Sequence, residues 1–281
     1  MSRVKKNITD FETVHGAGKI AALKQRLAIE HRKVEALADT GGKIVVNKSK
    51  DCLLRFAVTG DRHHGSLYHH GEALHAFYDF CKREGVKEVY DAGDILDGHK
   101  VYRGQEFELR DVGFEAQMNG VVKNSPSEVD TFFITGNHDA SFKNAAGVPV
   151  GSCLGERVPR YRFLGEEQAR VRWETPNGKF ELMLIHPGGG SSYALSYRPQ
   201  KIVESLEGGT KPDMLAIGHY HKAEFMPSYR NVAVLQAGTF QKQTPFMARQ
   251  GLAAHVGGWI VEVYVGDGHK VIKAEFVAFY V

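Results

Sequence analysis

The chain is predicted to be an α/β protein in which sheets are layered against helices. Three observations carry that expectation. Short apolar, β-prone runs alternate with amphipathic helical stretches through the first part of the body. Five such runs stop abruptly at polar, glycine-containing turns. From residue 232 onward the sequence becomes rich in β-prone residues and carries the hairpin signal Gly266-Asp267-Gly268. The chain has 281 residues, 42% apolar and 25% charged, enough apolar material for a sizeable core. Internal repeats, low-complexity segments and interdomain linkers are not evident.

Taken in order, residues 17–39 read as an amphipathic helix. Ile20, Leu23, Leu27, Val34 and Leu37 recur at helical spacing among Lys19, Lys24, Arg26, Arg32 and Lys33, and Thr40-Gly41-Gly42 ends the segment. Residues 1–50 hold eleven Lys/Arg against five Asp/Glu, a balance of +6, although the whole chain is only +3. The expected division is therefore a basic helical extension over residues 1–50 and one body over residues 51–281. The apolar stripe of the extension needs cover, either the body or a second copy in a homo-oligomer. Its basic face is either solvated or laid on a polyanion.

Residues 53–58 form the first predicted strand and run into Thr59-Gly60-Asp61-Arg62-His63-His64-Gly65. Residues 86–90 run into Asp91-Ala92-Gly93-Asp94-Ile95-Leu96-Asp97-Gly98, and 131–134 into Thr135-Gly136-Asn137-His138-Asp139. Residues 181–185 lead to His186-Pro187-Gly188-Gly189-Gly190, and 214–217 to Gly218-His219-Tyr220-His221. Helical periodicity marks residues 72–84 and 105–123. Strands are expected at 232–236, 259–265 and 271–280.

Several classes are excluded at this level. The chain contains no apolar run near the roughly 18 residues that span a bilayer. The basic start, Met1-Ser2-Arg3-Val4-Lys5-Lys6, lacks the apolar block of a secretory signal. Cys52, Cys81 and Cys153 are dispersed and odd in number, which argues against a disulfide scaffold and for a cytoplasmic protein with no membrane partner.

Every one of the five strands ends in a candidate metal ligand. In open α/β sheets functional groups gather beyond the carboxyl ends of strands, so Asp61, His63, Asp94, Asn137, His186, His219 and His221 are expected to converge. Imidazole, carboxylate and amide donors together suit borderline divalent metals rather than calcium. Seven ligands exceed one tetrahedral zinc and serve two ions if a carboxylate bridges. A His-x-His pair on a strand sends both rings to one face.

Asp61-x-His63, Gly93-Asp94-x-x-Asp97-Gly98, Gly136-Asn137-His138-Asp139, His186 and Gly218-His219-x-His221 resemble the five motif blocks of the calcineurin-like metallophosphoesterases. The resemblance covers roughly residues 53–240. It implies a sandwich of two mixed β-sheets flanked by helices, and two divalent ions per chain, manganese first with iron, nickel or zinc as alternatives. By that resemblance Asp61, His63, Asp94 and His221 hold one ion, and Asp94, Asn137, His186 and His219 the other. Asp94 is then the bridge, His138 the catalytic histidine and Asp97 the carboxylate that orients it. Gly98-His99 stands where protein Ser/Thr phosphatases of the superfamily have Arg-Gly, and Asp139 where they have Glu, which counts against that subgroup.

The function expected is a phosphodiesterase acting on nucleic acid or nucleotides. The alternatives are a phosphomonoesterase of small molecules and a non-catalytic, metal-dependent nucleic-acid-binding scaffold. Arg62, His64, His99, Lys100 and Arg103 are candidate phosphate contacts because cationic donors suit phosphate. Residues 187–193 are expected to form a glycine-rich wall of the cleft, and residues 197–200 a substrate-loop element.

Overall fold

Twelve strands in two six-stranded sheets organise a computed structural model that describes residues 44–280. The helix expected at 17–39, and the homo-oligomer contact drawn through it, lie outside the described residues. The strands are β1 (Ile44–Lys48), β2 (Leu53–Thr59), β3 (Glu88–Asp91), β4 (Asp130–Thr135), β5 (Tyr161–Glu166), β6 (Gln168–Thr175), β7 (Gly178–Ile185), β8 (Met214–Ile217), β9 (Ala223–Tyr229), β10 (Val232–Ala237), β11 (Gly257–Gly266) and β12 (His269–Ala278). One sheet has the order β1-β6-β7-β8-β10-β9 and the other β12-β11-β2-β3-β4-β5. Each mixes parallel and antiparallel pairs: β2, β3, β4 and β5 run parallel while β11 and β12 run antiparallel beside them.

Alternation along β2 shows how the layers form. Leu54, Phe56 and Val58 turn into the space between the sheets, where Phe56 stacks on Trp173 of β6 at 5.2 Å. Ala57 turns the other way, onto helix α1 (Gly71–Arg83), whose Ala73, Leu74, Phe77, Tyr78 and Cys81 recur at helical spacing. Helices α2 (Phe114–Asn124), α3 (Asn137–Ala146) and α4 (Val150–Arg157) cover the same outer face around Phe133. On the opposite face, Val203 of α5 (Tyr197–Ser205) packs on Met183, Leu215 and Val234 of the first sheet. The result is the expected sandwich of two mixed sheets with helices outside.

Two expectations change. The body does not begin at residue 51. Ile44–Lys48 pairs in parallel with Arg170–Glu174 of β6, so β1 belongs to the sheet although it lies within the first fifty residues. The helix expected over 105–123 is interrupted: a short 3-10 turn at Gln105–Phe107 is separated from α2 by Gly113, whose φ of 88° leaves the helical region. Among the described residues no helix is long and apolar enough to cross a membrane.

Candidate metal centre

Each of the five motif loops leaves the carboxyl end of a strand, and all five meet at one rim of the sandwich. Asp61 and His63 follow β2, Asp94 follows β3, and Asn137 follows β4 and starts α3. His186 follows β7, and His219 and His221 follow β8. Parallel neighbours, β2-β3-β4 in one sheet and β7-β8 in the other, bring these ends together. Short side chains reach a common point only if the backbone bends sharply. Asp61, His63, Asp94, His219 and His221 accordingly hold φ angles of 52°, 50°, 55°, 80° and 54°. Left-handed backbone at a non-glycine residue is uncommon and costs free energy that surrounding structure must offset. Five of the seven candidate ligands share it. Glycine serves the same end: a Cβ on Gly136 would lie 2.3 Å from Asp94 Oδ1 and 2.6 Å from His186 Cε1.

Two groups of donors result. His221 Nε2 lies 3.3 Å from Asp61 Oδ1 and 3.0 Å from His63 Nε2. His186 Nε2 lies 3.1 Å from Asp94 Oδ2 and 3.1 Å from Asn137 Oδ1, and His219 Nδ1 lies 2.9 Å from the same amide oxygen. The Asp94 carboxylate joins the groups, with Oδ2 also 4.0 Å from His63 Nε2. The two histidines of the His-x-His motif divide between them, His221 with Asp61 and His63, His219 with Asp94 and His186. They sit in the loop beyond β8, so strand alternation does not put them on one face; Tyr220 between them is buried.

The donor set fits divalent cations. Outer ring nitrogens are engaged by acceptors: His63 Nδ1 by Asp97 Oδ1 (2.9 Å), His186 Nδ1 by the Ala92 carbonyl (2.7 Å) and His219 Nε2 by the Gly189 carbonyl (2.6 Å). These contacts put the N–H outward and aim the ring lone pairs inward, the arrangement of metal-bound histidines. Inward lone pairs then face carboxylate and amide oxygens, which are also acceptors, at about 3–4 Å, and positive charge is what such a set can share. Proton affinities reflect the same crowding. Burial raises the Asp61 and Asp94 carboxyls, yet neighbouring imidazoles outweigh it and hold both below the usual range, Asp94 well below. Burial lowers His186, but Asp94 and Asp61 lift it to about 10. Asp139 moves the other way, to about 7, through burial and the nearby Asp94 charge.

His138 stands at the edge of this cluster. Its backbone N–H donates to Asp94 Oδ1 (2.8 Å) and its Nδ1 to the main-chain carbonyl of Asp97 (2.6 Å). Gly98 permits that approach, because with a φ of 79° a Cβ there would lie 2.4 Å from the His138 carbonyl oxygen. The Asp97 carboxylate was expected to orient His138. It instead pairs with His63 Nδ1 and stays 3.9 Å from His138 Nδ1. Asp139 caps the loops from below, accepting from the N–H groups of Ile95, Leu96 and Gly136.

The cluster opens into a cleft of ≈ 590 Å³. Gly189, Gly190 and Ser191 form part of its rim, as expected of the glycine-rich segment. The candidate phosphate contacts fare differently. Arg62 is fully buried away from the cleft, paired with Asp91 (2.6 Å) and bonded to Tyr78 and Tyr161, because the chain reverses at the left-handed residues on either side of it. His64 is buried against His69 at 4.0 Å. His99, Lys100 and Arg103 follow Asp97, but Val101 and Tyr102 are the residues of that segment that line the cleft. Residues 197–200 start helix α5, also outside the lining. Sequence reasoning missed Tyr102, Gln241, Phe246 and Met247. Thr244-Pro245 is a legible start for the short helix α6 (Pro245–Arg249). Nothing local in the sequence says that this helix faces the ligands.

Comparison with known proteins gives a family model, calcineurin-like phosphoesterase, that matches residues 54–223. The DNA polymerase II small subunit of Halobacterium salinarum is 25% identical over 244 residues, covering 73% of this chain and 47% of that protein. Its namesake from Archaeoglobus fulgidus is 25% identical over 228 residues, covering 69% and 45%. The chain thus spans about half the length of these curated relatives. Among solved structures, GAP50 of Plasmodium, titled the anchor in the inner membrane complex, superposes with a TM-score of 0.52 at 15% identity over 81% of this chain and 85% of that one. That likeness concerns the fold alone.

Proposed function

Since the chain belongs to the calcineurin-like phosphoesterase family, we propose that it is a metal-dependent phosphodiesterase whose substrate is nucleic acid. Asp61, His63, Asp94 and His221 would hold one divalent ion and Asp94, Asn137, His186 and His219 a second, manganese first among the candidates. When bound, two such ions supply Lewis acidity to the phosphate and acidity to an attacking water. The observation that carries a catalytic reading over a scaffold is His138. Its Nδ1 is engaged by the Asp97 carbonyl, its backbone is tied to Asp94, and its ring lines the cleft. Nε2 is thereby left to face substrate, and in the imidazolium form it can give a proton to the departing ester oxygen. A protein that only bound metal and nucleic acid would have no use for a histidine so held.

Nucleic acid is favoured because the curated relatives are named as subunits of a DNA polymerase. Association with a polymerase chain, and a cytoplasmic location, belong to the same proposal. The test is hydrolysis of bis-p-nitrophenyl phosphate, p-nitrophenyl phosphate and a single-stranded oligonucleotide with manganese, nickel, zinc or magnesium. Diester cleavage should exceed monoester cleavage and vanish with chelator. Two bound metals with no hydrolysis of any ester would leave the scaffold reading in its place.

A further inference from the structure

Beside the metal centre the cleft has an apolar wall drawn from two distant segments. Tyr102 and Phe246 stack with ring centroids 4.5 Å apart and an interplanar angle of 26°. Tyr102 stands edge-on to His138, at 6.2 Å between centroids. Both rings are only half-buried, and Val101 and Leu252 extend the same surface. A single buried carboxylate ties the wall together. Glu108 Oε2 accepts the Tyr102 hydroxyl at 2.7 Å, and Oε1 accepts the Phe246 N–H at 3.1 Å. Burying a carboxylate carries a free-energy cost, and here its bonds hold two rings in register at the cleft rather than joining core elements. Gln250 lines the cleft from the end of the same short helix and brings an amide that both donates and accepts.

We infer that this wall is a nucleobase subsite. With the phosphate at the metal centre, which rests on the phosphodiesterase reading above, the base of the adjoining nucleoside stacks on the outer face of the Tyr102–Phe246 pair, against Phe246. Planar aromatic faces stack on any base and so bind strands with little sequence preference. A sugar phosphate or other small phosphate would leave the wall facing water, and an aliphatic ester would gain apolar burial there without the stacking of planar faces. The Gln250 amide, on the same cleft lining, can donate to and accept from a base edge.

The test compares binding of thymidine 5′-monophosphate and deoxyribose 5-phosphate to the full chain in manganese buffer by titration calorimetry. The two probes share a phosphate and a sugar and differ in the base. The nucleotide should bind about 5- to 150-fold tighter, the range that about 1–3 kcal/mol of stacking per base amounts to. Phe246→Ala should bring the ratio close to unity with sugar-phosphate affinity kept, and Phe246→Tyr should restore it. If Phe246→Ala does not fold, Phe246→Leu removes the ring with less loss of volume and is read by the same ratio. Equal affinities in the unmodified chain, or a ratio that survives loss of a ring in a folded variant, would overturn the subsite. Hydrolysis of bis-p-nitrophenyl phosphate is measured alongside. Base preference without hydrolysis sinks the phosphodiesterase reading and leaves the subsite standing; hydrolysis without base preference does the reverse.

Discussion

Replacing Asp97 by Asn separates two roles that the residue performs with different atoms. Its carboxylate is buried, pairs with His63 Nδ1 at 2.9 Å, and also accepts from Gln241 Nε2 at 3.2 Å and Gln105 Nε2 at 3.3 Å. Its main-chain carbonyl holds His138 Nδ1 at 2.6 Å. Asparagine keeps the shape, the carbonyl and one acceptor but removes the negative charge that makes His63 a better donor. Loss of such a carboxylate behind a metal-bound histidine typically costs about 10–100-fold in metal affinity or activity. The affinity of the ion proposed for Asp61, His63 and His221 should therefore fall by about that factor, equivalent to roughly 1.4–2.7 kcal/mol. Turnover at saturating metal should return close to that of the unmodified protein, since the anchor of His138 is untouched. Manganese titration by calorimetry, with initial rates on bis-p-nitrophenyl phosphate across the same concentrations, reads both quantities. Unchanged metal affinity with turnover lost at every concentration would refute the reasoning and return the carboxylate to His138.

Four further outcomes follow from the same geometry. Asp94→Asn should abolish hydrolysis and cooperative loading, because the carboxylate joins both donor groups; elemental analysis finding both metals still tightly held would sink the bridge. His138→Ala should retain both metals and lose about 10²–10⁴-fold in turnover, the usual contribution of a general acid, and metal loss in that variant would make His138 a ligand. Arg62→Leu should destabilise the fold by about 3–5 kcal/mol in urea unfolding, the cost of stranding a buried partner such as Asp91; a change under about 1 kcal/mol would show that water reaches the pair. A chain beginning at Lys43 keeps β1 and should hydrolyse small diesters normally. It lacks eight Lys/Arg and five Asp/Glu, so its duplex-DNA affinity should show a shallower salt slope, by about 0.9 per phosphate no longer neutralised. An identical slope would remove residues 1–42 from nucleic-acid binding.

Strand–turn junctions were legible because both signals are local. An apolar β-prone run and a following Gly-Asp, Asn-His or His-x-His turn lie within ten residues of each other, and β2, β4, β7 and β8 appear where those runs predict them. β1, β5, β6 and β9 were not recognised. Ile44 and Val46 of β1 are exposed on a sheet edge, and β9 is the other edge, so neither carries the pattern of burial that sequence periodicity reports. The chemical identity of the candidate ligands was likewise written in the motifs, since only particular side chains offer lone pairs to a metal.

Direction was not. Arg62 and His64 flank the candidate ligand His63, yet left-handed backbone at Asp61 and His63 turns both neighbours into the protein, where Asp91, Tyr78 and Tyr161 receive the guanidinium. The same limit explains Asp97. Sequence places it three residues from Asp94, but which of its oxygens meets which histidine depends on the turn at Gly98 and on how α3 packs beside it. The Tyr102–Phe246 wall lay further still from view, because two segments far apart in sequence meet there by ring stacking and through Glu108. Side-chain chemistry and strand ends are properties of a few consecutive residues and were determined by the sequence alone. Which atoms face one another across the cleft is settled by backbone dihedrals and by packing between sheets, and only the tertiary structure decided it.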